Sequence, residues 1–322
     1  MTKDSNAALI INDPKFSLAK DLAKPEFMVI GAAKCGTTSL SSYLPLHPQI
    51  KICDPKEPNY WSWQLCNMAQ YQSLFVNTPP VSSPNADQRI GGEYSTSSLL
   101  HPLVPRRVRA HLPALKIIVL LRNPVERAYS HFIMSQRQGF EPIRSFDDIV
   151  RKEIEEVPAL LEAHKRGFLD LNAQTNAHRS AENGNTLFVS EHNESWTKHP
   201  LSTEQNLFRF YFCSYVFRSI YYDQIWRWLQ LFDRKQIKII ESTSLMDNRQ
   251  ETMNEVVNFL GLPAHNFNAE ELAHTWGGGA SNFKKPGDYA EMNSDTRTLL
   301  NEFFSPHNEK LFDLIGQRFN WT

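Results

Sequence analysis

The stretch "FMVIGAAKCGTTSL", residues 27–40, constrains the fold of this chain more than any other. Residues 27–31 form a short apolar run that ends in glycine, which is typical of a buried strand. Residues 37–44 predict a helix that stops before Pro45. A loop between a strand and a helix is the setting of a phosphate-binding loop, because the start of the helix presents backbone N–H groups.

The lysine of this loop is displaced. In the nucleoside-triphosphate loop, G-x-x-x-x-G-K-[ST], the lysine directly follows the second glycine. Here Gly31 and Gly36 keep the spacing, but a threonine follows and the lysine is Lys34. The strongest apolar run, residues 114–121, is followed by Arg122 instead of the aspartate that anchors Mg²⁺ in those enzymes. An arginine there favours a phosphate, so the pattern predicts an additional anion site in place of a metal.

Further apolar runs predict strands at residues 49–53, 89–95 and 236–242, with helices between them. Asn123 and Pro124 indicate the cap and first residue of one helix, and a C-terminal helix is predicted to start after Ser305-Pro306. This alternation predicts an α/β fold: a P-loop-like, doubly wound parallel sheet flanked by helices.

The 322 residues suit one large domain with an added segment. Residues 1–24 predict a loose N-terminal arm, and residues 25–322 a single domain. Within it, residues 140–213 are polar and mixed in pattern. They predict a partly helical insertion that acts as a lid or contacts an acceptor, with an inert surface excursion as the alternative.

Composition and charge restrict the partners. The net charge is −1 and the pI about 6.8, which argues against a nucleic-acid partner. The four cysteines show no C-x-x-C pair, the first residues carry charges throughout, and no apolar run is long enough to span a bilayer. These features predict a cytoplasmic protein with reduced thiols and no membrane partner.

One donor matches a metal-free phosphate loop with a further anion site. It is PAPS, 3′-phosphoadenosine 5′-phosphosulfate, which carries a 3′-phosphate besides its 5′-phosphosulfate. Fixed cations and N–H groups can stabilise sulfuryl transfer without Mg²⁺. Lys34 would stabilise the leaving phosphate oxygen, and Arg122 with Ser130 would bind the 3′-phosphate. The residues expected to hold the 5′-phosphosulfate through backbone amides are Cys35, Gly36, Thr37, Thr38 and Ser39.

Four segments carry a family resemblance: "GAAKCGTTSLSSYLPLHPQI", "KEPNYW", "KIIVLLRNPVERAYSHF" and "LLNEFFSPHNEKLFDLIGQRFNW". Together they resemble the PAPS-dependent sulfotransferases, closest to the heparan-sulfate branch and its bacterial relatives. The resemblance implies that Glu57 is the catalytic base and that Lys284 and Lys285 lie on a loop over the nucleotide. Glu93, at the end of a predicted strand, competes for the role of the base.

The chain departs from the heparan-sulfate branch at three positions. Asn59 replaces a histidine, Tyr94 replaces a lysine, and Asp288 stands near a position that is arginine in that branch. The resemblance implies that these positions meet a sulfated polysaccharide. Their loss favours a small or weakly charged acceptor over a polyanionic glycan.

The sequence therefore predicts a PAPS-dependent sulfotransferase that moves a sulfuryl group in line to a hydroxyl or amine of a small molecule or sugar. PAP is the expected product, and no metal is expected to be required. Two alternatives stay open: an ATP- and Mg²⁺-dependent small-molecule kinase of P-loop fold, and a non-catalytic nucleotide-binding module. The identity of the acceptor and the oligomeric state also stay open.

Overall fold

A computed structural model describes residues 24–63, 68–75, 89–143, 145–165, 212–267 and 291–321. Nearly all of the predicted arm, most of the predicted 140–213 insertion, and Lys284, Lys285 and Asp288 lie outside these residues. The chain clusters into two compact units. The first runs up to Leu99, from Val104 to Arg122 and onward from Trp228. The second comprises Leu100–Leu103, Asn123–Arg227 and the chain from Glu291 onward.

The first unit contains a parallel sheet in the order β2-β3-β1-β4-β5. Each of the five predicted strands is confirmed. They are β1 (Phe27–Gly31), β2 (Ile50–Ile52), β3 (Ile90–Tyr94), β4 (Lys116–Leu121) and β5 (Ile237–Glu241). Because the strands are parallel, all their carboxyl ends lie at the same edge of the sheet, which is where α/β proteins bind ligands.

The apolar runs explain the centre of the sheet. Every residue of β1 is buried, as is every residue of β4 after the first. Strands covered on both faces need such continuous apolar sequences. Gly92 of β3 allows a close approach of Phe27: the two residues pair, and a Cβ on Gly92 would lie 2.0 Å from the Phe27 ring.

Helices lie between and after the strands along the chain. In chain order they are α1 (Thr37–Tyr43), α2 (Tyr60–Trp63), α3 (Met68–Ser73), α4 (Val104–His111), α5 (Pro124–Arg137), α6 (Phe146–Lys165), α7 (Tyr221–Leu229), α8 (Ser244–Asp247), α9 (Arg249–Leu260) and α10 (Ser294–Ile315). The predicted helix cap is confirmed, because the Asn123 side chain accepts hydrogen bonds from the N–H groups of Val125 and Glu126 at 2.9 and 3.3 Å. Helix α6 gives the first part of the predicted insertion its helical character.

A buried polar cluster holds the second unit together. Glu153 of α6 accepts hydrogen bonds from the N–H groups of Tyr215 and Val216. Arg127 of α5, fully buried, donates to the Ser219 hydroxyl and to the Tyr215 carbonyl. Donors and acceptors within this cluster therefore satisfy one another, as buried polar groups generally do.

The prediction that the C-terminal helix starts after Ser305-Pro306 is wrong. Helix α10 begins at Ser294, where the Asn293 side chain caps its first N–H groups, and it continues through Pro306. Buried residues on both sides of the proline, including Leu300 and Leu311, stabilise the helix across it. Packing here outweighs the local preference of proline for a helix start. No helix within the described stretches combines the length and the apolar character that a bilayer crossing requires.

We expect Gly92→Ala to lower the free energy of unfolding by about 1–3 kcal/mol or more, because the added methyl group collides with the Phe27 ring. The gain of about 0.4–1 kcal/mol from a less flexible unfolded chain is smaller. The double variant Gly92→Ala/Phe27→Leu should lose less stability than the sum of its single changes. Urea unfolding of all four proteins measures this coupling, and strict additivity would contradict the packing explanation.

Candidate functional site

Four loops of the first unit leave the same edge of the sheet. The loop after β1 carries Lys34, the turn after β2 carries Glu57, Thr96 follows β3, and Arg122 follows β4 directly. The strand order places β1, with its loop, between β3 and β4. The predicted loop and arginine therefore follow the adjacent strands β1 and β4, whereas the predicted base follows β2, on the other side of β3.

The loop after β1 has a tightly bonded backbone. The Ala32 N–H donates to the Leu120 carbonyl at 2.8 Å, and the Cys35 N–H donates to the Ala32 carbonyl at 3.2 Å. Lys34 and Gly36 both have left-handed conformations, with φ of 73° and 88°. Glycine adopts this conformation without strain, which explains its presence at position 36, where the chain turns into helix α1.

Backbone N–H groups at the start of α1 are oriented outward from the helix. The first bond of that helix runs from the Leu40 N–H to the Gly36 carbonyl at 3.0 Å. The N–H groups of Thr37, Thr38 and Ser39 precede it and have no acceptor within the helix. They belong to the residues predicted to hold the phosphosulfate through their amides, an assignment that stays a prediction, whereas the Cys35 amide is bonded inside the loop.

The structure also shows a loop lysine that sequence reasoning missed. The Lys56 ammonium donates to the Thr38 hydroxyl at 3.1 Å. Burial lowers the pKa of Lys56, and the neighbouring Glu57 carboxylate opposes this effect. The only sequence signal was its place in "KEPNYW", since the 18 residues that separate it from Thr38 give no indication of contact.

The Glu57 carboxylate is fixed between two strand ends. Its Oε2 atom accepts hydrogen bonds from the Thr96 N–H at 2.8 Å and the Thr96 hydroxyl at 3.1 Å. The Glu57 N–H in turn donates to the Tyr94 carbonyl at 3.0 Å. Glu57 itself is only partly buried and has a left-handed φ of 60°.

Asn59 braces the turn that carries Glu57. Its side-chain amide donates to the Glu57 carbonyl at 2.8 Å, and its Oδ1 atom accepts from the Ser97 hydroxyl. Its own N–H donates to the Ser95 hydroxyl at 3.1 Å. The residue has a φ of 49°, a conformation that asparagine adopts more readily than most residues. At this departure from the heparan-sulfate branch, the side chain therefore has a structural contact.

Glu93 lies beneath the surface of the edge. Its side chain has no solvent exposure and accepts hydrogen bonds from the Tyr71 hydroxyl, the Trp61 indole N–H at 3.2 Å and the Ser95 hydroxyl at 2.7 Å. Burial raises the pKa of Glu93, and the three donors oppose the increase. The side chain of Tyr94, the second departure, is also fully buried.

The remaining predicted ligands of the nucleotide belong to different units or lie outside the described residues. Arg122 is partly buried and belongs to the first unit, whereas Ser130 is a partly buried residue of α5 in the second. Lys284 and Lys285 lie outside the described residues, so their assignment stays a prediction.

Comparison with known proteins identifies the family. The family model described as "Sulfotransferase domain" matches residues 24–285. Membrane-associated sulfotransferase kil1 of Dictyostelium discoideum is 25% identical to this chain and aligns with 94% of it and 67% of its own length. Bifunctional heparan sulfate N-deacetylase/N-sulfotransferase 2 of Bos taurus is 26% identical over 91% of this chain. Carbohydrate sulfotransferase 15 of Mus musculus is 26% identical over 92%.

This chain spans 30% of the bovine protein and 54% of the mouse protein, so it corresponds to only part of each. Among solved structures, a sulfotransferase from Alicyclobacillus acidocaldarius matches with a TM-score of 0.59 and 24% identity. The alignment covers 92% of this chain and 98% of that one. The shared fold confirms the predicted sheet architecture.

The comparison also corrects the predicted cytoplasmic location. The relative from Dictyostelium, which aligns with most of this chain, is named as membrane-associated, and this finding contradicts the prediction. Thiol content, net charge and the lack of a long apolar run describe this domain alone. These three properties do not determine the compartment in which the protein works.

We expect the stability contributed by Glu93 to fall as the pH rises. Because its pKa is higher in the folded state than the ordinary value of 4.5, the folded protein holds this proton more tightly than the unfolded chain. The contribution is therefore complete below pH 4.5 and declines above it. Glu93→Gln should remove this decline, and its amide can donate to the Ser95 hydroxyl. Urea unfolding between pH 4.5 and 8 tests this, with exposed Glu155→Gln as the control; parallel curves for wild type and Glu93→Gln would contradict it.

Proposed function

The chain belongs to the sulfotransferase family, and we propose that it transfers a sulfuryl group from PAPS to a hydroxyl or amine of a sugar or small molecule. One observation carries this proposal. A lysine-bearing loop and an anchored carboxylate, Glu57, follow β1 and β2, the two strands that pair with β3, at one sheet edge. When bound, PAPS supplies the activated sulfuryl group and leaves as PAP.

The residues of the loop suit an anionic donor. Lys34 is held in a left-handed turn, and the N–H groups of Thr37, Thr38 and Ser39 precede the first bond of α1. Fixed cations and oriented N–H groups stabilise charge that develops on oxygen without having to reorganise. We assign Lys34 to the leaving phosphate oxygen, and the amides of Gly36 and the residues that follow it to the 5′-phosphosulfate.

Glu57 is the proposed catalytic base. Both hydrogen bonds from Thr96 fall on Oε2, so among the described contacts Oε1 is the oxygen left to accept a proton. A carboxylate held in one orientation can take the proton of an attacking hydroxyl or amine as the new bond to sulfur forms. The partial exposure of Glu57 allows an acceptor to reach it.

Glu93 is the proposed positioning residue. Its burial and its three donors separate it from solvent, which argues against direct contact with an acceptor. It acts through Ser95, whose hydroxyl donates to Glu93 and accepts the Asn59 N–H. Asn59 in turn donates to the backbone carbonyl of Glu57. The buried carboxylate of Glu93 therefore supports the turn that carries the partly exposed Glu57.

Arg122 is the proposed ligand of the 3′-phosphate, because an arginine that directly follows a central strand can offer paired N–H donors to a phosphate. The assignment of Ser130 to the same phosphate rests on the R-N-P-x-x-R-A-x-S motif. Lys284 and Lys285 are proposed as a loop over the nucleotide, on the resemblance alone.

The acceptor is proposed to be a weakly charged sugar or small molecule. Two relatives are named for carbohydrate or heparan sulfate. In this chain Asn59 is engaged in the turn and Tyr94 is buried, so neither offers a cation to a sulfated glycan. This supports an acceptor with fewer negative charges than heparan sulfate.

Nucleotide binding in the presence of a chelator separates the proposal from a kinase. We expect PAP to bind with EDTA present, and sulfuryl transfer to continue, because fixed cations take the place of Mg²⁺. ATP should bind more weakly than PAP under the same conditions. Calorimetry and turnover with a panel of sugars and small molecules measure both. Tighter, Mg²⁺-dependent binding of ATP would favour the kinase, and PAP binding without turnover would favour the non-catalytic module.

Glu57→Gln should reduce kcat by about 10²–10⁴-fold, the usual contribution of general-base catalysis, while the affinity for PAP stays near that of wild type. Glutamine preserves the acceptor for Thr96 but cannot take a proton. Glu93→Gln is the matched comparison and should reduce kcat less. If Glu93→Gln is inactive and Glu57→Gln retains full activity, the base is Glu93.

A further inference from the structure

Lys56 is a half-buried lysine in the turn after β2. None of the ion pairs found among the described residues includes it. The carboxylate next to it in sequence, Glu57, is hydrogen-bonded to Thr96. The Lys56 ammonium instead reaches the Thr38 hydroxyl, on the first turn of α1.

Such a cation favours an anionic ligand. Burial penalises the charged form of Lys56, as the lowered pKa indicates. An anion that binds beside Lys56 compensates for the lost hydration of its ammonium, because a desolvated charge is stabilised chiefly by a charge of opposite sign. The Thr38 hydroxyl and the charge of Glu57 compensate only part of this desolvation cost, since the pKa of Lys56 is lowered despite both.

The direction of the hydrogen bond adds a second donor. Because Lys56 donates to Thr38 Oγ1, the hydroxyl proton of Thr38 points away from the ammonium. The Thr38 hydroxyl is exposed to solvent at the start of α1, beside the N–H groups that precede the first helical bond. One ammonium and one hydroxyl can thus donate to the same anion.

We propose that Lys56 and Thr38 together bind the 5′-phosphosulfate of the donor, with Lys56 as a second donor-binding lysine beside Lys34. This inference rests on the proposed function. Lys34 belongs to the loop itself, whereas Lys56 approaches from the turn after β2 that also carries Glu57. The same turn therefore contacts the donor with one residue and the acceptor with the next.

Two nucleotides that differ at one end test the proposal. PAP carries both a 5′- and a 3′-phosphate, whereas adenosine 3′-monophosphate lacks the 5′ group. Lys56→Met should weaken binding of PAP by about 10- to 100-fold, the loss of one charge-assisted hydrogen bond, and leave binding of the monophosphate unchanged. Lys56→Arg should retain most of the affinity for PAP.

Matched variants control for indirect effects. Lys51→Met removes an exposed lysine of β2 and should bind both nucleotides as wild type does. Arg122→Ala should weaken binding of both nucleotides, because both carry the 3′-phosphate. Calorimetry measures the affinities, and thermal unfolding verifies that each variant is folded.

A measurement on the wild-type protein supplements the variants. PAP should slow acetylation of Lys56 by acetic anhydride, as followed by mass spectrometry, whereas adenosine 3′-monophosphate should not. The assignment of Lys56 would be overturned if Lys56→Met lost equal affinity for both nucleotides or lost none for PAP. It would also be overturned if PAP left the acetylation of Lys56 unchanged. Failure of the wild-type protein to bind PAP would instead overturn the proposed function.

Discussion

The hydrogen-bonded carboxylate of Glu93 is the interaction on which the site depends. A buried carboxylate is costly unless donors surround it, and here helices α2 and α3 supply an indole N–H and a phenol hydroxyl. The third donor is Ser95, whose oxygen also accepts the N–H of Asn59. One buried group thus joins two short helices to the sheet edge and fixes the turn that carries Glu57.

The solvent-accessible part of the site combines the anchored carboxylate of Glu57 with the loop that carries Lys34. Glu57 is oriented by the residues that follow β3, and Lys34 by the left-handed turn that follows β1. The Thr96 N–H and the left-handed backbone at Lys34 are backbone features, and the side chains of Thr96 and Asn59 add hydrogen bonds to Glu57. A sulfotransferase needs such preorganised charges, because water and mobile side chains would have to reorient as charge moves during transfer.

The sequence was sufficient to predict features that depend on neighbouring residues. Continuous apolar runs predicted the strands, and Asn123 with Pro124 predicted the start of α5, because burial on both faces and capping are local constraints. Contacts between distant segments were not predictable. Both candidate glutamates lie beside strand ends in the sequence, and only the packing of α2 and α3 shows that Glu93 is buried. Pro306 misled the prediction of α10 because its neighbours stabilise the helix across it.

The two bonds that hold Glu57 differ in how they respond to mutation. The hydroxyl bond is lost whenever Thr96 is replaced by a residue without a hydroxyl, but the backbone N–H of position 96 is supplied by every amino acid except proline. The shorter of the two bonds is therefore independent of side-chain identity. Any substitution at position 96 other than proline therefore keeps a backbone donor for the carboxylate, while the side chain beside it changes.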